Sequence, residues 1–167
     1  MAITSGILAA LETTAQGEIL NRIVTQMITL DVTSIKTRVY VLERVMDFSL
    51  IEDLSFPIMT VSIAPELASD FEGPVNTSTV HYPVLVAIIW GGDRGQRDTW
   101  AERLEQRQAV ARDFRKTRPV WAEMVNCSVK KTTVKSGEPY IDEAIRKSLD
   151  AQYWLVDVQV TEPLIHA

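Results

Sequence analysis

Catalysis and metal binding need titratable and nucleophilic side chains at suitable spacing, and this chain offers few. It has two histidines. His81 precedes Tyr82-Pro83, and His166 stands beside the C-terminal residue. Neither lies near a cysteine or a carboxylate at the spacing of a metal site, so both read as strand-end or surface residues. The one cysteine, Cys127, has no basic neighbour before Lys130. A reactive thiolate needs positive charge close by, so an inert, buried thiol in a strand is expected. The pair Glu52-Asp53 has no histidine or arginine matched to it and reads as solvated charge. Gly91-Gly92-Asp93-Arg94-Gly95 falls between an apolar run and a charged one, where phosphate loops occur because free helix amides attract anions. It lacks the Lys-Ser/Thr pair of such a loop and the spacing of a dinucleotide fingerprint. Asp93 would also repel a phosphate. A glycine turn ahead of a helix cap is the plainer reading. With no nucleophile, base and orienting group in view, the sequence predicts a protein that is not an enzyme and carries no cofactor or metal.

The bulk properties agree with an ordinary folded domain. The chain has 167 residues, 46% hydrophobic and 23% charged, with a net charge of −5 and a pI near 5.1. That length fits one domain spanning 1–167. The acidic balance argues against a module that grips nucleic acid, which presents a basic face to phosphate. A single free cysteine suits a reducing cytoplasm. The start, Met1-Ala-Ile-Thr-Ser-Gly, lacks the basic and apolar regions of a signal peptide. The longest apolar run, Val84 to Trp90, is far short of the roughly 20 residues that cross a bilayer. A soluble, intracellular protein is expected.

The elements that must position these residues follow from periodicity. Leu8, Leu11, Ala15, Ile19 and Ile23 recur every three or four residues and predict a helix, capped by Thr4 or Ser5. Gly17 should weaken, bend or end it. Val39 and Val41 alternate with Arg38 and Tyr40, which predicts a strand over 37–42. Residues 43–56 read as a connection. A strand over 58–63 should bury one face through Met59, Val61 and Ile63. Residues 64–79 read as a long acidic loop carrying Glu66, Asp70 and Glu72. Val84 to Trp90 is apolar on both faces and should be the central strand. A second helix is expected over 96–116, its apolar stripe formed by Trp100, Leu104, Ala111 and Phe114, with Val110 at the edge. Its other positions are densely charged, either as a solvated face with helical charge pairs or as a subunit contact. Trp121, Val125, Cys127 and Val129 predict a further strand, 130–139 a polar connection, and Ile141 to Leu149 a short helix. The last strand should span 152–161, with Trp154, Val156, Val158 and Val160 on one face. Together these predict an α+β fold: a mostly antiparallel sheet flanked by an N-terminal helix and a second long helix.

This order of elements resembles the tail-terminator or tail-completion family of long-tailed bacteriophages, the lambda-like terminators of siphophages and myophages included. The residues that carry the likeness are Thr37-Arg-Val-Tyr-Val41, Phe56-Pro-Ile-Met-Thr-Val-Ser-Ile63, Tyr82-Pro-Val-Leu-Val-Ala-Ile-Ile-Trp90 and Tyr153-Trp-Leu-Val-Asp-Val-Gln-Val160. It covers nearly the whole chain and rests on element order and strand character; 130–139 and the short helix after it look like elaborations. The resemblance implies a structural virion protein, a ring, usually a hexamer, that caps the tail tube at the neck end. Its implied partners are other copies of itself, the tail tube protein and the head connector, with DNA passing through unbound and no membrane involved. Assembly would take place in the host cytoplasm. Arg94, Arg97, Trp100 and Arg103 are the expected subunit contacts, and Glu66, Asp70 and Glu72 the expected channel-facing acids. Besides a host-derived oligomeric scaffold with no viral link, two other kinds of protein fit the same features. One is another neck or connector protein. The other is a cone-shaped α+β small-molecule binder or enzyme, in which Trp90, Trp121 and Trp154 would line a ligand site instead of packing a core.

Overall fold

The computed structural model describes residues 13–30, 39–42, 56–64, 77–91, 97–116, 124–137 and 149–163. Two helices, α1 (Ala15–Thr29) and α2 (Arg97–Lys116), accompany five strands: β1 (Val39–Leu42), β2 (Ile58–Ile63), β3 (Thr77–Gly91), β4 (Ser128–Gly137) and β5 (Leu149–Pro163). The strands form one sheet in the order β1-β2-β3-β5-β4. Every pairing is antiparallel except β1 with β2. The α+β architecture is therefore as the periodicity predicts.

β3 is the central strand. Val84, Val86, Ile88 and Ile89 are fully buried and Leu85 nearly so, because neighbours on both sides and material on both faces shield an apolar run of this kind. Pro83 sits within β3 without breaking it. Its carbonyl accepts from the Ala64 amide, and a strand residue's N–H points to the same side as its C=O. The missing proton therefore faces β2 just where the β2 ladder ends at Ile63 opposite Val84, a place that tolerates proline.

Both helices lie on one face. α1 buries Ile19, Leu20, Ile23, Val24 and Met27 against β1, β2 and β3. α2 places Val110 and Phe114 in the same cluster, beside Trp90, Trp154 and Val156. The Phe114 and Trp154 rings lie 6.4 Å apart in a tilted contact. Gln26 of α1 donates to Asp113 of α2, joining the two helices. The opposite face carries a smaller cluster of Ile58, Ala87, Ile89 and Ala151 with Tyr40, Phe56 and Tyr153 packed against it.

Several expectations need correction. The α1 cap is Thr14, whose hydroxyl accepts from the Gly17 amide at 3.1 Å; Thr4, Ser5, Leu8 and Leu11 lie outside the described residues. Gly17 neither ends nor interrupts the helix, because it occupies the first turn, where its amide bonds to the cap. β2 buries both faces, Thr60 and Ser62 included: Met59 and Val61 belong to the main cluster and Ile58 to the cluster on the opposite face. β3 begins at Thr77, inside the expected loop, so His81 is a mid-strand residue; 65–76 lie outside the described residues. Residues 130–137 belong to β4 and are not a connection. Lysines and β-branched residues make a polar edge strand there, which needs no buried face. The strand expected around Val125 is absent: Val125 is 88% exposed, and β4 starts at Ser128. Leu149 opens β5 and so does not end a helix; Trp121 and 141–148 lie outside the described residues. Cys127 is buried in the main cluster as expected, just ahead of β4.

Candidate functional site

Three groupings of polar side chains come together in the fold. The first is on α2. The helix turns toward the sheet with Arg103, Gln106, Arg107 and Val110, about one residue position round from the expected stripe of Leu104 and Ala111. Two guanidinium carbons lie over the buried Trp90 ring, Arg103 at 5.8 Å and Arg107 at 5.1 Å from its centroid. Between them Gln106 accepts the indole N–H at 2.6 Å and donates onward to Glu102. A tryptophan face attracts cations, and a buried indole N–H needs an acceptor. These two contacts hold polar residues of the helix against the sheet, while Phe114 of the expected stripe and Val110 at its edge pack into the main cluster.

The second grouping is a cleft of about 460 Å³ between α2 and β5, lined by Leu104, Arg107, Gln108, Ala111, Arg112, Gln152 and Trp154. Arg112 is exposed and donates to Gln108 one helical turn away. Trp154 forms the apolar floor, with Leu104 and Ala111 on the helix side.

The third is the polar half of the opposite sheet face. His81 of β3 lies diagonally across from Asp157 of β5, with Nδ1 3.1 Å from Oδ2. A carboxylate oxygen accepts, so in this contact Nδ1 is the donor. That is the orienting half of a general-base pair. Nearby, the ladder between β4 and β5 shifts register between Val129 and Lys131. Lys130, the residue at this shift, is exposed, and its ammonium donates to the Thr79 hydroxyl at 3.1 Å. His81 thus has a carboxylate partner that sequence spacing did not reveal, because the two are 76 positions apart. Among the described residues no three His, Cys, Asp or Glu side chains group closely enough to hold a metal ion.

A buried carboxylate completes the picture. Glu18 of α1 accepts from the amides of Val125 and Asn126 and from the Asn126 side-chain amide, at 3.0 to 3.2 Å. It anchors the segment that leads into β4.

Of the expected subunit contacts, Arg103 packs on Trp90. Arg97 and Trp100 belong to α2, but their side chains, like Arg94, lie outside the described residues, as do Glu66, Asp70, Glu72 and His166. Trp90 and Trp154 are buried in the main cluster. No helix of the described residues is long and apolar enough to cross a membrane. Comparison with models of known protein families gives no match, and comparison with curated protein sequences gives none either.

Proposed function

We propose that this chain is a structural subunit of a ring of the bacteriophage tail-terminator type, which caps the tail tube at the neck end and presents a surface to the head connector. The observation that carries this reading is the order of elements. An amphipathic helix, a short strand, a second strand, a long central strand, a charged helix and a long final strand make up a single sheet with both helices on one face. This is the layout on which the resemblance rests, with β4 as an added edge strand. The ring would be a homohexamer built from heterologous contacts, assembled in the host cytoplasm and carried in the virion.

The test is the state of the chain in its native particle. Electron microscopy of the tail's neck end, with the chain labelled, should show a closed ring; single copies there would overturn the reading. A second reading, a small-anion binder, draws on the arginine-bearing cleft beside Trp154. It requires a monomer that binds a small carboxylate or phosphate compound, which native mass and calorimetry distinguish from a ring.

A further inference from the structure

The charges of this chain are unevenly distributed along it. Residues 45–93 hold seven acids and no lysine or arginine, whereas residues 94–147 hold thirteen lysines and arginines against eight acids. The basic portion contains α2 and the edge strand β4. The acidic portion begins with the connection between β1 and β2, which lies outside the described residues. The chain therefore carries complementary charge in two separate stretches of its sequence. A patch that complements a different patch on an identical copy produces head-to-tail contacts, the kind that close rings.

The cleft between α2 and β5 is built to receive such a partner. The apolar flank of α2, Leu104 and Ala111, is turned away from the sheet core and toward this cleft, because Arg103, Gln106, Arg107 and Val110 take the inward positions. Trp154 supplies the floor. Beyond it Val134 stands exposed on the same face of β4, opposite Val156 in the register. Arg112 and Gln108 offer donors at the exposed rim. The site thus combines an apolar strip with a positively charged rim, and its fitting occupant is an apolar segment bearing carboxylates. Within the cation-free portion, Asp47-Phe-Ser-Leu-Ile-Glu-Asp-Leu54 has this composition: Phe48, Leu50, Ile51 and Leu54 beside Asp47, Glu52 and Asp53. These residues lie outside the described ones, and the match is one of chemistry.

We infer that the cleft between α2 and β5 takes the acidic, apolar segment Asp47–Leu54 of a second copy of this chain, making the head-to-tail contact of the ring. This rests on the ring reading above and names its interface. Burying the apolar groups supplies the contact area, while opposite charge sets partner choice and register.

Three variants test it: Arg112→Glu with Gln108→Glu; Asp47→Lys with Glu52→Lys and Asp53→Lys; and the combination of all five. Self-association is followed by sedimentation velocity and native mass spectrometry over a range of protein and salt concentrations. Arg112 and Gln108 are exposed, so the first variant should melt as the wild type does by circular dichroism. Each charge reversal should weaken association at least about tenfold, and the combined variant should recover most of that loss. Association of the wild type should also weaken as salt rises. If the wild type assembles and the Arg112 variant assembles equally well, the cleft is not the contact and the ring reading stands without it. If both reversals weaken assembly and their combination restores nothing, the two patches do not meet and the inference fails. A wild-type chain that stays monomeric throughout overturns the inference of a self-contact formed in solution, and the ring reading is then decided by its state in the native particle.

Discussion

Glu18 shows how much one residue holds together in this molecule. A carboxylate with under a tenth of its surface exposed is costly to bury unless its oxygens are satisfied. Here two backbone amides and one side-chain amide converge on it, from residues more than a hundred positions away. Removing the acceptor leaves those donors without a partner. Glu18→Ala should therefore cost about 2–3 kcal/mol in urea unfolding, since hydrogen bonds to charged groups are worth about 1.5–3 kcal/mol each and losses in one cluster do not add. Glu18→Gln keeps an acceptor oxygen and should cost less. Equal losses in the two variants would show that the packing of the side chain matters and its charge does not. Ile88 provides the apolar counterpart. It is fully buried in β3, and Ile88→Ala should cost about 2–5 kcal/mol. A loss under about 0.5 kcal/mol, the range of surface sites, would contradict its central position.

At the level of elements, β4 is the informative case. It is an edge strand of ten residues, and a long edge invites pairing with other chains. Lys130, Lys131 and Lys135 stand on it, all exposed. Charge on an edge opposes sheet-to-sheet growth, so these lysines protect the molecule from joining through β4. Replacing Lys131 and Lys135 with valine should leave the melting temperature nearly unchanged while promoting aggregation, measured by light scattering on incubation. A soluble double variant with wild-type scattering would show that β4 is protected by something other than charge. α2 follows a related logic. Its inward face is polar, yet the Trp90 ring and its N–H absorb Arg103, Arg107 and Gln106. This frees the apolar flank for the cleft.

For the whole molecule, the proposed ring makes a demand on charge. A genome passing through the lumen must not be gripped, and the chain carries 22 acids against 17 lysines and arginines. Glu66, Asp70 and Glu72 are the proposed lining, where repulsion would keep DNA centred and mobile. The isolated protein should show no salt-sensitive DNA binding in a filter assay run across a series of salt concentrations, because counterion release needs basic contacts. In an assembled ring the lumen should present more carboxylates than lysines and arginines; a lumen dominated by cations would end the idea.

The amino-acid sequence by itself determined those elements whose burial leaves a periodic trace. Val84–Ile89 is apolar at every position because β3 is enclosed on both faces, and Trp154, Val156, Val158 and Val160 alternate because one face of β5 lies in the main core cluster. The helical spacing of Ile19 and Ile23 is legible for the same reason. The polar strand β4 was not legible, since an edge needs no apolar face and leaves only β-branched residues among lysines as a trace. The rotation of α2 was hidden too: hydrophobicity reads arginine as solvent-facing, and only the position of Trp90 makes an inward guanidinium stable. The parallel pairing of β1 with β2, the His81–Asp157 pair and the Glu18 anchor join residues far apart in the chain. Such contacts depend on which elements become neighbours, a matter of tertiary packing that no local pattern encodes.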